Sequence, residues 1–224
     1  MTNDTKSASQ ILVLISGSGS NLQSIINACN SGEIRGKVVA VISNIPQVKG
    51  LERAAKAKIP NMVVNHQRYS SRSEFDDQLC KIINRFNPDL VVLAGFMRIL
   101  SKDFVKKFEH KMINIHPSLL PAYPGLNTHQ RAIDAGDREA GATVHYVTSE
   151  LDGGPCILRA RVSVHLEDTA ADLAKRVLER EHIIFPKVVE WFCDRRITLN
   201  NGVVFIDGVS LPKAGLLFED SSEH

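Results

Sequence analysis

The stretch "ILVLISGSGSNLQSII" (residues 11–26) joins a run of apolar residues to a glycine-containing loop and then to the start of a helical pattern. Residues 11–15 are apolar at every position, which is typical of a strand whose two faces are both covered by helices in a parallel sheet. Gly17 and Gly19 permit a tight turn after this strand. A strand, a tight turn and a helix in this order predict an α/β fold.

The rest of the first half repeats this pattern. Apolar runs that predict strands alternate with amphipathic stretches that predict helices, and these runs occupy residues 38–43, 61–64, 90–95 and 112–115. After residue 140 the rhythm changes, because the runs at 142–147 and 156–164 follow each other with no helical pattern between them. A long helix over 168–192 and a hairpin at Asn201-Gly202 come next. The sequence therefore predicts a doubly wound, mostly parallel sheet with antiparallel edge strands in its C-terminal part.

The composition is that of a globular protein. The 224 residues are 43% hydrophobic and 23% charged, and the formal net charge is +2. A charge this small gives no electrostatic reason to expect binding to nucleic acid or to an anionic membrane. We predict a disordered tail over residues 1–10, a single domain over residues 11–207, and a second tail over residues 208–224.

The cysteines and the apolar segments indicate the compartment. The four cysteines are far apart and include no CxxC pair, which argues against a disulfide framework or a thiolate metal site and is typical of a reducing compartment. The N-terminal segment has no apolar run of the kind found in a signal peptide, and no apolar stretch approaches the length needed to cross a bilayer. We therefore predict a soluble, cytoplasmic protein.

The glycine loop offers a site for an anion. The helix after it presents unpaired N–H groups and the positive end of its dipole, and Ser20 and Asn21 add side-chain donors there. A phosphate site and a plain turn with a Ser or Asn cap both fit this loop. A dinucleotide site fits less well, because Leu22 occupies the third position of the GxGxxG pattern and Ser43-Asn44 stands where an acidic residue would bind a ribose.

The segment "NIHPSLLPAYPG" (residues 114–125) follows a predicted strand and contains three prolines, which stiffen the chain. Asn114 and His116 are two residues apart, so both side chains point the same way if the strand geometry continues. An amide can donate to an oxygen that gains negative charge, and an imidazole can exchange a proton near neutral pH. The pair suits acyl transfer, although a turn cap and a backbone hydrogen bond would also explain it.

A carboxylate could orient this imidazole, and Asp152 in "SELDGGP" (residues 149–155) is the candidate. The glycines after it allow close approach of the backbone to a ligand, but an ordinary Asp-Gly turn has the same sequence. His116, His129, His145 and Asp152 lack the spacing of typical zinc ligands, so no metal site is predicted.

Glu181 lies on the apolar stripe of the long predicted helix, where an unpaired carboxylate is costly. Two explanations fit this position. The carboxylate pairs with a buried arginine such as Arg176 or Arg180, or it faces a cleft and binds a cationic ligand.

Four motifs together resemble the glycinamide ribonucleotide formyltransferases, which are folate-dependent enzymes of purine synthesis: "ISGSGSNLQ", "VVLAGFMRIL", "NIHPSLLPAYPG" and "VHYVTSELDGGP". The wider superfamily of 10-formyltetrahydrofolate hydrolases and transferases shares part of this set. The resemblance implies a Rossmann-like formyltransferase fold with a phosphate-binding N-terminal half and a folate-binding C-terminal half. It also implies transfer of a formyl group from 10-formyltetrahydrofolate, as cosubstrate, to the glycyl amine of glycinamide ribonucleotide, with no metal and no covalent enzyme intermediate.

The same resemblance implies which residues form the site. Asn114, His116 and Asp152 would be the catalytic trio, the substrate phosphate would bind at Gly19, Ser20 and Asn21, and Pro117 and Glu181 would contact the same substrate. The folate would be bound by Arg72, Met97, Arg98, Ile99, Leu100, Asn114, Thr148, Ser149, Glu150, Leu151 and Asp152. One departure is Asn127, because the family often has a histidine at this position near the reaction centre. Asn127 can donate a hydrogen bond but cannot carry a proton.

Three alternatives share part of this pattern. A formyltetrahydrofolate deformylase has a similar core with an additional N-terminal domain, and a methionyl-tRNA formyltransferase would need a basic C-terminal domain. A non-catalytic nucleotide- or folate-binding module would keep the glycine loop but would give no reason for an amide, an imidazole and a carboxylate to converge. We predict small-molecule substrates, no nucleic acid or membrane partner, and a monomer or homodimer.

Overall fold

The computed structural model describes residues 8–219, which form one eight-stranded sheet, one three-stranded sheet and six α-helices. In chain order the first elements are β1 (Ser9–Ile15), α1 (Ser20–Ser31), β2 (Gly36–Ser43), α2 (Lys49–Lys56), β3 (Asn61–Val63), α3 (Arg72–Phe86), β4 (Leu90–Leu93), α4 (Lys102–Lys107) and β5 (Met112–His116). They are followed by α5 (Thr128–Asp134), β6 (Glu139–Tyr146), β7 (Cys156–Ser163), α6 (Ala170–Cys193), β8 (Ile197–Asn200), β9 (Val203–Ile206), β10 (Val209–Ser210) and β11 (Leu216–Leu217).

The large sheet has the order β11-β7-β6-β5-β4-β1-β2-β3. The five strands of the first half pair in parallel, whereas β6 pairs antiparallel with both β5 and β7. The predicted fold class is therefore confirmed. The strand order reverses between β1 and β4, and ligands of open α/β sheets bind beyond the carboxyl ends of the strands at such a point.

Helices cover both faces of the sheet, as the all-apolar strands predict. In β1, Ile11 and Val13 pack in one core cluster with side chains of α1 and α6, whereas Leu12 and Leu14 pack in a second cluster with side chains of α3 and α4. All four side chains are fully buried. Burial of both faces leaves the ends of the strands as the place where polar side chains can meet a ligand.

The C-terminal part departs from the predicted domain boundaries. The hairpin of β8 and β9 turns at Asn201 and Gly202, which both have positive φ, and β10 extends it into the three-stranded antiparallel sheet. β11 pairs in parallel with β7, where Leu216 lies opposite Leu158. The predicted tail from residue 208 is therefore wrong where β10 and β11 form. β11 covers the edge of β7, which would otherwise be exposed.

The predicted N-terminal tail is also too long. Ser9 and Gln10 belong to β1 and lie opposite Gly36 and Lys37 of β2. Residues 1–7 and 220–224, which the two tail predictions include, lie outside the described residues. Across residues 8–219, every helix is too short or too polar to cross a bilayer.

Candidate active site

The carboxyl ends of β1, β4 and β5 lie next to one another at the edge of the sheet where the strand order reverses. The glycine loop follows β1, the segment 94–101 follows β4, and the proline-rich segment follows β5. Each of these segments carries residues that the sequence predicted to bind or react. The topology therefore gathers three separate motifs at one edge of the sheet.

The structure brings the imidazole and the carboxylate together. Asp152 Oδ2 lies 3.4 Å from His116 Nδ1, and both side chains are almost completely buried. The other ring nitrogen, His116 Nε2, lies 2.8 Å from the carbonyl oxygen of Tyr123. Each nitrogen thus faces an acceptor: Nε2 at hydrogen-bond distance from a carbonyl oxygen, and Nδ1 at ion-pair distance from a carboxylate. The backbone bond considered in the sequence analysis exists, but it occupies only one side of the ring.

Asn114 joins this pair through His145, which sequence reasoning missed as a site residue. Asn114 Nδ2 lies 3.1 Å from His145 Nε2, and His145 Nε2 is 3.9 Å from Asp152 Oδ1. His145 Nδ1 faces the carbonyl oxygen of Tyr146 at 2.8 Å, so Nδ1 carries the proton. Burial lowers the pKa of His145 to about 4, so the ring is neutral at pH 7 and Nε2 accepts from the amide.

This contact fixes the Asn114 amide. Because Nδ2 donates one hydrogen to His145, its second hydrogen is left to donate in another direction. A donor held in this way needs no reorientation when a neighbouring oxygen becomes negative. The amide is therefore suited to stabilising an oxyanion.

The loop that carries Asp152 has a constrained backbone. Asp152 itself has φ of 51°, and its Oδ2 accepts the backbone N–H of Gly125 at 2.8 Å, which ties this loop to the proline-rich segment. A Cβ on Gly154 would lie 1.8 Å from the carbonyl oxygen of Tyr146, a distance at which no side chain fits. The "DGGP" sequence thus lets the loop pack against the end of β6 and places the carboxylate beside His116.

A cleft beside the trio contains most of the residues predicted to bind folate. Nine of them line it: Arg98, Ile99, Leu100, Asn114, Thr148, Ser149, Glu150, Leu151 and Asp152. Met97 is adjacent and exposed, whereas Arg72, the first residue of α3, does not line the cleft. The guanidinium of Arg98 lies over the Phe75 ring at 5.7 Å from its centroid. Pro117 lines a neighbouring cavity of about 570 Å³ together with Tyr123 and His129.

The glycine loop has the geometry of an anion site. Gly19 is the residue before α1 and has φ of 68° with no side-chain cap, so the first N–H groups of the helix are not bonded to a capping side chain. A Cβ on Gly19 would lie 2.5 Å from Gly50 Cα, so the loop packs directly against the first turn of α2. From that helix, Arg53 Nε donates to the carbonyl oxygen of Ser18 at 2.9 Å. Sequence reasoning missed this cation because it is distant in the chain.

Glu181 reaches the same loop from α6. Asn21 Nδ2 donates to Glu181 Oε2 at 2.6 Å, and burial raises the pKa of this carboxyl group. Asn21 Oδ1 is buried and has no hydrogen-bond partner among residues 8–219. Arg176, one of the two partners considered for Glu181, pairs with Asp168 instead. The carboxylate thus adjoins the predicted phosphate site.

Asn127 is exposed at the start of α5 and makes no side-chain capping bond. Two residues later in the sequence, burial and the charge of His116 lower the pKa of His129.

Within the part of the chain that the structure describes, no group of three or more His, Cys, Asp or Glu side chains is arranged to hold a metal ion.

The sequence matches the model of the formyl transferase family over residues 9–189. The chain belongs to the formyl transferase family. A phosphoribosylglycinamide formyltransferase of Escherichia coli (strain K12) is 49% identical over 205 residues, which cover 92% of this chain and 97% of that protein. The human trifunctional purine biosynthetic protein adenosine-3 is 43% identical over 200 residues, which cover 89% of this chain and 20% of that protein.

Solved structures agree with this assignment. A phosphoribosylglycinamide formyltransferase from Coxiella burnetii has a TM-score of 0.90 and 50% identity, and the match covers 94% of this chain and 99% of that one. A glycinamide ribonucleotide transformylase from Symbiobacterium toebii has a TM-score of 0.87 and 42% identity, with 90% and 95% covered. The family predicted from the four motifs is confirmed.

Proposed function

We propose that this chain is a phosphoribosylglycinamide formyltransferase, which transfers the formyl group of 10-formyltetrahydrofolate to the glycyl amine of glycinamide ribonucleotide. The observation that carries the proposal is the meeting of Asn114, His116 and Asp152 between the glycine loop and the cleft beside β4. At this point, an amide, an imidazole and a carboxylate can act on a reaction between a ligand bound at the glycine loop and a ligand bound in the cleft.

The phosphate of the ribonucleotide binds at Gly19, Ser20 and Asn21. The unpaired N–H groups of α1, the helix dipole and the nearby Arg53 all favour a negative group there. Glu181 contacts the ribose or glycinamide end of the same substrate. Its carboxylate is buried beside Asn21, and a hydroxyl or ammonium donor from the substrate would compensate for that burial.

The folate binds in the cleft beside β4. Ile99 and Leu151 line this cleft although each is more than half exposed, and exposed apolar side chains next to a cleft are typical of a surface that a ligand covers. Met97 adds a third exposed apolar side chain at the same end of β4. Arg98 supplies positive charge for the carboxylates of the folate, whereas a role for Arg72, which does not line the cleft, stays a prediction from the sequence.

In the reaction, the substrate amine attacks the formyl carbon, and the carbonyl electron pair moves to oxygen. Asn114 Nδ2 and an N–H of His116 donate to this oxyanion, and Asp152 orients the His116 ring. Because both ring nitrogens of His116 are engaged, one contact must be released before the ring donates to the intermediate. The bond from carbon to N10 of the folate then breaks, and His116 helps to move one proton from the amine to N10.

The test is an absorbance assay of tetrahydrofolate release by the purified protein, with and without glycinamide ribonucleotide. We expect release that depends on the ribonucleotide and yields one formylated ribonucleotide per tetrahydrofolate. Release at the same rate without it would indicate a deformylase, and no release under either condition would refute the proposal. The cytoplasmic location, the lack of nucleic acid partners and the monomeric or dimeric state stay predictions from the sequence.

A further inference from the structure

The end of β2 carries a pair of residues that the proposed chemistry does not use. Ser43 and Asn44 stand where a dinucleotide-binding protein would have an acidic residue. Asn44 is 1% exposed, and its Oδ1 accepts the hydroxyl hydrogen of Ser16 at 2.5 Å. Ser16 Oγ in turn accepts the backbone N–H of Met97 at 2.7 Å. One hydroxyl group therefore joins the carboxyl ends of β2, β1 and β4.

The two backbone segments joined by this hydroxyl belong to different ligand sites. Ser16 directly precedes the glycine loop, whereas Met97 directly precedes Arg98 and Ile99 of the folate cleft. The ladder between β1 and β4 ends where Ala94 N–H donates to the carbonyl oxygen of Leu14. After this bond, the contact between Ser16 and Met97 continues the connection between the segment that follows β1 and the segment that follows β4.

The orientation of Asn44 makes the contact directional. His66 Nδ1 lies 3.2 Å from Asn44 Nδ2 and 3.0 Å from the carbonyl oxygen of Asn44, so the nitrogen side of the amide faces His66 and the oxygen side faces Ser16. A hydroxyl has one hydrogen and two lone pairs. Since Asn44 takes the hydrogen, a lone pair of Ser16 is directed to the N–H of Met97.

We propose that Ser16 is a positioning residue, and that its hydroxyl, held by Asn44, keeps the folate-binding backbone at Met97 aligned with the phosphate-binding loop. The amine of one substrate and the formyl carbon of the other must approach closely, so the two binding segments need a fixed separation. This inference rests on the proposed function, because it needs a folate in the cleft.

The variant Ser16→Ala removes both bonds and leaves the Met97 N–H without its partner. We expect the KM for 10-formyltetrahydrofolate and the dissociation constant of tetrahydrofolate, measured by calorimetry, each to rise on the order of tenfold, the usual effect of losing one such bond. Asn44→Leu should give a smaller rise, because Ser16 can still accept from Met97 but is no longer oriented. The double variant should not exceed Ser16→Ala, because both changes act on one contact.

Ser43→Ala is the matched control. Ser43 is fully buried at the end of β2, and its hydroxyl donates to the carbonyl oxygen of Ile45 at 2.6 Å and accepts the backbone N–H of Ile45 at 3.1 Å. This control should lower the Tm as Ser16→Ala does. It should leave the KM for 10-formyltetrahydrofolate and the dissociation constant of tetrahydrofolate within twofold of wild type. Folate constants of Ser16→Ala within twofold of wild type, or an equal rise in Ser43→Ala, would overturn the inference. A wild-type protein that releases no tetrahydrofolate would instead refute the proposed function itself.

Discussion

Replacing Asp152 by asparagine tests the central contact of the proposed site. The substitution keeps the size of the side chain, and the amide oxygen can still accept the N–H of Gly125, so the loop should keep its position. What is lost is the negative charge beside His116. The expected result is a fall in kcat/KM with a nearly unchanged fold.

The separation of the two groups sets the size of the effect. At 3.4 Å between His116 Nδ1 and Asp152 Oδ2, an effective dielectric constant of about 20 gives an attraction of about 5 kcal/mol. A neutral hydrogen bond from the imidazole to the new amide recovers part of this energy. A net loss of about 2–3 kcal/mol in the transition state corresponds to a roughly 30- to 150-fold fall in kcat/KM.

The assay is tetrahydrofolate release at saturating ribonucleotide, with thermal unfolding measured on the same samples. Asp134→Asn is the control, because it removes an equal charge from an exposed position on α5. It should leave kcat/KM unchanged. If Asp152→Asn kept kcat/KM within threefold of wild type, the carboxylate would not act on His116 and the proposed trio would be wrong.

Three further predictions concern stability. The lowered pKa of His145 means that the unfolded chain binds more protons, so the wild type should lose up to about 3 kcal/mol of unfolding free energy as the pH falls from about 6.5 to about 4. We expect His145→Gln to lack this loss. If the urea midpoints of the wild type and of His145→Gln fell equally between pH 7 and pH 4.5, this prediction would be wrong. Burial raises the pKa of Glu181, so stability should fall as the pH rises through that pKa, and Glu181→Gln should have the higher Tm at pH 8 but not at pH 4. Gly154→Ala should lower the free energy of unfolding in urea by about 1–3 kcal/mol and lower kcat, because the added Cβ collides with the carbonyl oxygen of Tyr146. An unfolding free energy equal to that of the wild type would show that the loop can move away.

The sequence predicted the large elements because they carry strong periodic signals. The apolar runs predicted the five parallel strands of the first half within a few residues. The long helix was predicted over 168–192 and runs from Ala170 to Cys193, with Thr169 as its cap. The hairpin of β8 and β9 was predicted, whereas β10 and β11 were not. β11 consists only of Leu216 and Leu217, and two residues have no periodicity from which a strand can be recognised.

The candidate site was predictable to the extent that its residues carry recognisable chemistry. Asn114, His116 and Asp152 were candidates because an amide can stabilise an oxyanion and an imidazole beside a carboxylate can transfer a proton. Arg53 and Asn44 do not stand out, because each is an ordinary polar residue whose contact is with a segment far away in the chain. Their roles depend on the order of the strands and on which helix begins beside which loop.

His145 shows most clearly what the sequence could not supply. It lies in β6, and the antiparallel pairing places it directly opposite Asn114 of β5. A shift of this pairing by one residue would turn His145 to the other face of the sheet and leave the amide without its acceptor. The residue that fixes the amide is thus determined by the register of two strands. The identity of the predicted catalytic groups is encoded locally, whereas their orientation is encoded in how the strands pair.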